Sequence, residues 1–471
     1  MKPISRDTLD VLLHDWDARE TKLREVITTR LAESPPPTVS DHVVASYFYA
    51  LRSTTLAHAA AEIVYHATSG IRHPPKGSLL EECTARVAGV DAFDAAGRIG
   101  LLHIAFPLKM LGTGDGGLTS VDLLHTLAGA VIFDVYENLD SRLVRIGLPE
   151  DVIRSFLGPA HGPSGVRALA GFPEDRPAFG TILKPTAGIT PDDVGRLVAE
   201  VAECPLFLFV KEDENLYPRL GYSLVAERTR RAAAAIERAR ERRGGVGLVF
   251  APHITSSPGE MLETVFAVLE AGAQGVMFSE TFCGGTVRMV RDATRHLANP
   301  PAIYGHNAGI GVKTHSIWRE VLDLLARLDG IDFRQTAPLR QGDPFIRPYG
   351  AEWLASEDAL SRPIEGIKPT MIARAGALDQ GNIGPNLAEA QARGIADGVL
   401  FLAGSAINSL KNAAGAADPR LGAAAMQQAV EVHDSGELAG ISLAEHLPAL
   451  TALAERKNLR ELREALRQRY A

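Results

Sequence analysis

The stretch PLFLFVKEDE, residues 205–214, decides the fold, because a short apolar run ends abruptly in a lysine and three acids. Comparable β-rich runs recur along the chain, at 177–185, 245–255, 272–280, 301–309, 330–338, 368–376 and 398–406. Between the runs lie Ala-, Leu- and Arg-rich stretches with helical periodicity. Alternation of this kind requires parallel strands joined by crossover helices. Eight β/α units over about 230 residues predict a (β/α)8 TIM barrel, an α/β fold.

An open doubly wound sheet is the alternative fold. Such a sheet favours a glycine fingerprint after its first strand, and GTILKP at 180–185 lacks one. The predicted domains are a helical extension, a small α+β domain that precedes the barrel, the barrel itself and a charged helical tail, at 1–38, 39–156, 166–434 and 435–471. The first of these ends at a triple proline, which cannot continue helical hydrogen bonding.

Composition excludes several classes of function. The 471 residues are 46% hydrophobic and 23% charged, which is typical of a globular protein. The net charge of −8 comes from 57 acids and 49 bases spread along the chain, so we expect no nucleic-acid partner. The three cysteines form no CxxC pair, which favours a reducing cytoplasm. Neither a secretory signal nor an apolar stretch of about 18 residues is visible, so we expect a cytoplasmic protein without a membrane partner.

The strongest metal-site candidate follows the second strand. Strand alternation should send Lys211 and Asp213 to the same side, and Glu214 can use the turn to point back. Two carboxylates and a third oxygen ligand form a site that Mg²⁺ prefers. An ammonium group repels the metal, so Lys211 can serve only as a carbamate formed with CO₂. The alternative for these residues is a solvated charged loop.

Three further side chains at strand ends are candidates for proton transfer. Lys184 closes the first strand and could act as a proton shuttle, although a lysine in this position can simply pair with an acid. His306 in YGHNAG is an acid/base or hydroxyl-binding candidate, and His253 is a weaker one. Both histidines can also be structural.

Small residues close the last two strands. Gly376, Ala403, Gly404 and Ser405 lie where many barrels bind phosphate through backbone N–H groups after strands seven and eight. The glycines could instead serve only to permit tight turns. The count of strands favours the phosphate site.

Four motifs, in order and in spacing, resemble the large subunit of RuBisCO: GTILKPTAGIT (180–190), FVKEDENLYP (209–218), YGHNAG (304–309) and FLAGS (401–405). The resemblance runs from about residue 41 to about residue 434. It implies one Mg²⁺ per subunit, a carbamylated Lys211 with Asp213 and Glu214 as ligands, and a homodimer. It also implies that Lys184 transfers a proton, that His306 is an active-site histidine, and that one substrate phosphate is held by Gly376, Gly404 and Ser405.

Several positions depart from the carboxylase pattern. Thr186 stands where carboxylases have a second lysine, Asn307 replaces an arginine, and Gln335 replaces a second histidine. The second phosphate site therefore loses its cationic donors, and a monophosphate substrate is favoured. The strand-six region has no flexible loop with a lysine, and Arg340 is its nearest cation. The chain resembles a RuBisCO-like protein of the non-carboxylating type.

The function implied is enolate formation from a phosphorylated keto-sugar or keto-sugar acid in carbohydrate metabolism. We favour a decarboxylase or C–C lyase of the 3-oxo-isoapionate 4-phosphate type, because Arg374 and His253 could offer a carboxylate site. The alternatives are a tautomerase, enolase or isomerase of a methylthio-sugar phosphate and a catalytically silent barrel that only binds its ligand. Carboxylation of ribulose bisphosphate is not expected.

Overall fold

The computed structural model describes residues 16–112, 117–134, 136–340 and 349–470. The chain divides into two compact units. The N-terminal unit comprises the residues up to Leu118 together with Asp122–Val152 and Ser316–Trp318. The barrel unit comprises Thr119–Val121, Ile153–His315 and the residues from Arg319 onward.

The N-terminal unit is built on a four-stranded antiparallel sheet of order β2-β3-β1-β4. Its strands are β1 (His42–Leu51), β2 (Arg86–Ala92), β3 (Ile99–Pro107) and β4 (Asn138–Gly147). The helices from here to the barrel are α1 (Trp16–Glu33), α2 (Leu56–His66), α3 (Leu79–Glu82), α4 (Leu108–Leu111), α5 (Ser120–Leu127), α6 (Ala130–Phe133) and α7 (Glu150–Arg154). The predicted mixture of strands and helices before the barrel is confirmed.

Local sequence ends one helix of this region and interrupts another helical stretch. Helix α1 ends at Glu33, just before the triple proline, while residues 1–15 of the predicted extension lie outside the described residues. The run 119–138 has a helical sequence pattern, but its helices α5 and α6 are separated by residues 128–129, and Asn138 already begins β4. Gly129 lies in the interruption, and glycine costs about 1 kcal/mol relative to alanine inside a helix.

The barrel unit contains eight parallel strands in the order β10-β11-β12-β13-β14-β5-β6-β9. They are β5 (Ala178–Ile182), β6 (Phe207–Lys211), β9 (Val249–Ala251), β10 (Gly275–Phe278), β11 (Ala302–Gly305), β12 (Phe333–Thr336), β13 (Met371–Ala375) and β14 (Val399–Ala403). A parallel bridge between His253 and Met277 completes the ring between β9 and β10. Each of the eight predicted runs holds one strand, so the predicted barrel is confirmed.

Side-chain alternation separates the inside of the barrel from the layer beneath the helices. Phe209, Tyr304 and Phe333 fill the interior, with ring centroids 4.6–5.8 Å apart. Ile372 on β13 belongs instead to the apolar cluster shared with the surrounding helices, whereas Ala373 lies inside. The same alternation decides which polar residues reach the mouth of the barrel.

Helices surround the strands. They are α8 (Gly162–Ala170), α9 (Pro191–Ala202), α10 (Val225–Arg242), α11 (Pro258–Glu270), α12 (Thr286–Thr294), α13 (Ile310–Thr314), α14 (Arg319–Asp329), α15 (Ala351–Ser361), α16 (Ile383–Ala392), α17 (Ser405–Asn408) and α18 (Pro419–Asp434). Two 3₁₀ turns (Glu280–Phe282 and Ala396–Gly398) and a short hairpin, β7 (Arg219–Leu220) with β8 (Ser223–Leu224), lie in the connections. Local sequence fixes some boundaries: Thr190 and Asp193 form a capping box at the start of α9.

The charged tail forms two helices, α19 (Leu443–Arg456) and α20 (Arg460–Tyr470). Leu450 and Leu453 of α19 and Leu462 and Leu466 of α20 join the apolar cluster between the barrel strands and their helices. The tail is therefore part of the barrel unit's core. Across the described residues, the structure has no helix with the length and apolarity needed to cross a bilayer.

Candidate active site

Lys211, the last residue of β6, lies at the centre of the polar cluster. Its side chain is fully buried, and Nζ donates a hydrogen bond to the carbonyl oxygen of Glu212 at 3.0 Å. The ammonium lies 5.4 Å from the ring centroid of Tyr304, which forms the apolar floor beneath it. Burial lowers the pKa of Lys211 to about 8, although Glu214 and Asp213 act in the opposite direction.

Asp213 connects the ends of two neighbouring strands. Its Oδ2 accepts a hydrogen bond from Lys184 Nζ at 2.5 Å, while Oδ1 accepts bonds from the backbone and side-chain nitrogens of Asn215, both at 3.0 Å. Asp213 is buried and Lys184 only partly so. Lys184 thus stands between a fixed carboxylate and the open mouth of the barrel.

Glu214 points back toward the cluster, as the turn predicts. Its Oε2 lies 4.0 Å from Lys211 Nζ and 3.4 Å from His306 Nε2. The Nδ1 of His306 accepts a hydrogen bond from the backbone of Ala308 at 3.1 Å, so the proton of the neutral ring is on Nε2 and faces Glu214. Burial holds the pKa of His306 well below its usual range, with a smaller contribution from the charge of Lys211.

This donor set fits Mg²⁺ on one condition. Among the described residues, no three His, Cys, Asp or Glu side chains converge as a ready metal site. Asp213 and Glu214 supply two carboxylates beside the Lys211 amine, so a carbamate on Lys211 would supply the missing anionic oxygen. A buried amine with a lowered pKa is suited to that modification, because CO₂ reacts with the unprotonated form.

His253 is held by protein groups on both ring nitrogens. Nδ1 is 3.2 Å from the carbonyl oxygen of Leu216, and Nε2 is 2.6 Å from Thr255 Oγ1. Burial lowers its pKa to about 4. Its backbone N–H donates to Glu212, which also forms a buried ion pair with Arg228 at 2.7 Å. In this arrangement, neither nitrogen of the His253 ring is available for proton transfer.

Arg374 does not reach the site, which corrects the carboxylate-binding role expected for it. On β13, Ala373 and Ala375 face the barrel interior, so Arg374 points outward to α15 and α16. Its fully buried guanidinium bonds both carboxylate oxygens of Glu357 at 2.9 Å and forms a further ion pair with Glu389. These bonds hold the guanidinium against the two helices, on the face of β13 opposite to the barrel interior.

Gln335 and Asn307 lie at the mouth and bond to protein groups. The hydroxyl of Tyr304 donates to Gln335 Oε1 at 3.0 Å, and Asn307 Nδ2 donates to the Gln335 carbonyl at 2.5 Å. The Oδ1 atom of Asn307 is buried and has no hydrogen-bond partner among the residues that the structure describes. Both residues are neutral, so this side of the mouth offers no positive charge from these positions.

The predicted phosphate residues lie on adjacent loops. Gly376 has a φ of 89°, and Gly404 is so placed that a Cβ would lie 3.5 Å from Lys184 Cε. Ser405 is exposed at the start of α17, while Ala403 is buried and belongs to the cluster under the helices. Ala403 can therefore contribute only its backbone. Together, residues 376–377 and 404–405 are termed the anion cradle below.

Several residues that hold the lysine and carboxylate cluster in place were not predicted from the sequence. Glu212, Asn215, Asn408 and Tyr304 fix the cluster from outside or below. Asn408 Nδ2, for example, donates to Thr181 Oγ1 and to the Ile182 carbonyl, both at 2.9 Å, which ties the β14 loop to β5. Alternation on β6 would have indicated that Glu212 faces away from Lys211, but no local signal reveals the long-range partner of Asn408.

Fold and site together define a (β/α)8-barrel protein with a lysine and carboxylate cluster at the carboxyl ends of its strands. Residues 169–356 match the family model described as the ribulose bisphosphate carboxylase large chain, catalytic domain. Over these residues the chain is similar to the RuBisCO large-chain family, and the proteins similar to it include RuBisCO-like proteins.

Similar proteins carry different names within this family. A ribulose bisphosphate carboxylase of Archaeoglobus fulgidus is 28% identical over 63% of this chain and 68% of its own length. A 3-oxo-isoapionate-4-phosphate transcarboxylase/hydrolase of Xanthobacter autotrophicus is 28% identical over 62% and 70%. A 3-oxo-isoapionate-4-phosphate decarboxylase of Rhizobium etli is 28% identical over 71% and 77%.

Solved structures share the fold. The octameric RuBisCO of Pyrococcus horikoshii superposes with a TM-score of 0.76 at 22% identity and covers 92% of this chain and 94% of its own. A rubisco-like protein from Alicyclobacillus acidocaldarius superposes with a TM-score of 0.72 at 24% identity, covering 91% and 99%. The shared architecture therefore extends over nearly the whole chain.

Proposed function

We propose that this protein is a Mg²⁺-dependent RuBisCO-like enzyme that forms an enolate from a phosphorylated keto-sugar or keto-sugar acid. The observation that carries the proposal is the cluster of charged groups at the carboxyl ends of the strands. In it, Lys184 contacts Asp213, and Glu214 lies within 4.0 Å of Lys211 and within 3.4 Å of His306. A solvated loop would leave these groups exposed, whereas Lys211 and Asp213 are buried. The cluster matches the oxygen donors and the proton-transfer group that such a reaction needs.

The residues divide the chemistry between them. Lys211, as a carbamate formed with CO₂, would hold one Mg²⁺ with Asp213 and Glu214, and the bound ion would supply Lewis-acid stabilisation of the developing oxyanion. Lys184 moves the substrate proton, because its ammonium lies at the open side of Asp213. His306 places Nε2 3.4 Å from Glu214 Oε2, where the ring N–H faces the carboxylate.

The mouth of the barrel favours one phosphate over two. Backbone N–H groups of the anion cradle would bind the phosphate, on the side of the barrel that also holds Lys184. Asn307 and Gln335, across the mouth, are neutral and bond to protein groups. Thr186 is also neutral, so it supplies no positive charge for a second phosphate. These features support a substrate other than ribulose bisphosphate.

Decarboxylation or C–C cleavage is the preferred reaction. Because Arg374 lies outside the site, the preference for decarboxylation rests on the relatives. These are named 3-oxo-isoapionate-4-phosphate decarboxylase or transcarboxylase/hydrolase and are 28% identical to this chain. Tautomerisation of a methylthio-sugar phosphate uses the same enolate and is the alternative outcome of the test below. We also propose a homodimer or a larger homo-oligomer, since related structures are titled dimeric or octameric.

The test is a screen of phosphorylated keto-sugars and keto-acids with Mg²⁺ and bicarbonate, which detects CO₂ release and exchange of the substrate proton into D₂O. Lys211→Ala should abolish turnover. Lys368→Ala is the matched control, because this exposed lysine precedes β13 at the opposite end of the barrel. Exchange without CO₂ release would identify the tautomerase. Full activity of Lys211→Ala would overturn the carbamate, and Mg²⁺-dependent binding without turnover would identify a silent barrel.

A further inference from the structure

The loop after β13, residues 376–382, is held in an unusual backbone conformation. Gly376 is followed by Ala377, which has a φ of 63°, a region that residues with a Cβ rarely occupy. The Asn382 side chain supports this turn, because Oδ1 accepts from the Asp379 N–H at 2.9 Å and Nδ2 donates to the Ala377 carbonyl at 2.8 Å. Such a conformation persists only where neighbouring groups determine it.

The support of this loop extends to the end of the chain. Asp379 is buried, and Tyr470 Oη lies 2.7 Å from both of its carboxylate oxygens. Arg469 adds an ion pair to Asp379 Oδ2 at 3.1 Å, and the Gly381 N–H donates to Oδ1 at 2.8 Å. A Cβ on Gly381 would lie 2.6 Å from Tyr470 Oη, so the glycine permits this close approach.

The same loop is also joined to the second half of the anion cradle. Gln380 is fully buried, and its Nε2 donates to the carbonyl of Ala406 at 2.8 Å and to that of Gly422 at 3.1 Å. Ala406 directly follows Gly404 and Ser405. The last turn of α20 therefore contacts a loop that contains one half of the cradle, residues 376–377, and that is bonded to Ala406, the residue next to the other half.

We infer that Arg469 and Tyr470 are positioning residues for the anion cradle, so that affinity for a phosphorylated substrate depends on the last turn of α20. Without these two side chains, Asp379 keeps only its local N–H partner among the bonds described above, and the loop samples conformations in which the backbone N–H groups diverge. Apparent affinity then falls in proportion to the competent fraction. This inference rests on the proposed function, because it assumes that the cradle binds phosphate.

The test compares inorganic phosphate binding, measured by calorimetry, in the full-length protein and in Arg469→Gln/Tyr470→Phe. We expect phosphate affinity to fall by about tenfold if roughly one loop in ten remains competent, with Mg²⁺ affinity unchanged. Arg467→Gln is the matched control, since Arg467 lies on the same helix and pairs with Glu464, three residues before it. The milder Tyr470→Phe should lose affinity by a smaller factor, and Arg469→Lys with Tyr470 retained should recover most of it.

The two hypotheses fail in different ways. Equal phosphate affinity in the double variant and the wild type would overturn the positioning role alone. Phosphate binding that is unaffected by Gly404→Val, whose side chain would fill the cradle, would overturn the phosphate site and with it this inference. If the double variant does not fold, Tyr470→Phe decides the question, and wild-type affinity in that folded variant overturns the inference.

Discussion

At the scale of single residues, burial of one amine has a measurable consequence. The pKa of Lys211 is lowered to about 8, so at pH 7 about one molecule in ten has an unprotonated amine, against about one in three thousand for an ordinary lysine. CO₂ reacts only with the unprotonated amine. At a fixed concentration of dissolved CO₂, we therefore expect carbamate formation to accelerate about tenfold from pH 7 to pH 9. The measurement is ¹³C NMR with ¹³CO₂.

The control for this experiment is Lys211→Ala, which should show no carbamate resonance from this site at any pH. A rate that does not change between pH 7 and pH 9 would contradict the lowered pKa. A resonance that survives in Lys211→Ala would place the carbamate on another lysine.

Lys184 and Lys211 have distinct predicted roles, and one substitution separates them. Lys184→Met removes the ammonium beside Asp213 but leaves both carboxylates and Lys211 in place. We expect exchange of the substrate proton into D₂O to fall by about 10²–10⁴-fold, the usual contribution of a positioned acid or base, while Mg²⁺ still binds. Exchange at the wild-type rate would transfer the role to His306. Lys368→Met is the control and should leave exchange unchanged, because Lys368 is exposed and precedes β13 at the opposite end of the barrel.

At the scale of elements, alternation along a strand explains both what the sequence predicted and where prediction failed. The period of two predicts that Lys211, at the end of β6, and Asp213, just after it, face the same side, and in the structure Glu214 lies 4.0 Å from Lys211 while Asp213 pairs with Lys184. The same period, applied to β13, would have turned Arg374 outward, but that residue was interpreted from its position near a strand end alone. Its partners Glu357 and Glu389 come from helices whose contacts with β13 are set by tertiary packing, which no local pattern encodes.

The Arg374 network leads to a prediction about stability. Arg374→Met would leave Glu357 as a buried carboxylate that is still bonded to Arg393, Tyr349 and Thr336. Removing one partner of a buried ion pair typically lowers the free energy of unfolding by about 3–5 kcal/mol. Because Arg393 remains beside Glu357, we expect a loss at the lower end, about 3 kcal/mol. We expect the free energy of unfolding in urea to fall accordingly, while the KM of the folded variant is unchanged.

The matched control is Arg362→Met, because Arg362 at the C-cap of α15 is exposed and pairs with Asp358 one turn away. Such pairs contribute about 0.3–0.5 kcal/mol, so this variant should resemble the wild type. The opposite pattern for Arg374→Met, with normal stability and a raised KM, would restore Arg374 to substrate binding.

Across the whole chain, the barrel architecture could be predicted from the sequence, but the side-chain contacts between distant residues could not. Eight β-rich runs and the helical stretches between them predicted the barrel, since each strand is short, apolar and followed by polar residues. The links that hold the site are of another kind. Asp379 meets Tyr470 across 91 positions, and Asn408 meets Thr181 across 227. Such contacts join segments that are brought together only in the folded barrel unit. Local patterns in a single sequence therefore could not reveal them.

Buried histidines in both units give the molecule a shared response to acid. Burial lowers the pKa of His103 in the N-terminal unit and of His306 and His446 in the barrel unit, and it lowers that of His253 to about 4. The unfolded chain binds these protons near pH 6.5, whereas the folded chain does not. Stability therefore falls as pH decreases below about 6.5, and the contribution of His253 alone reaches about 3 kcal/mol near pH 4.

The expected result is a free energy of unfolding that decreases from pH 7 to pH 5, measured by urea titration at several pH values. His103→Gln should flatten the part of this dependence that belongs to the N-terminal unit, because the glutamine cannot gain a proton and can still reach Ser46, now 2.9 Å from His103 Nδ1. His73→Gln, at an exposed position, should leave the dependence as it is. A free energy of unfolding that rises between pH 7 and pH 5 would mean that the buried histidine rings are already charged in the folded protein. That result would contradict the neutral state inferred for His306.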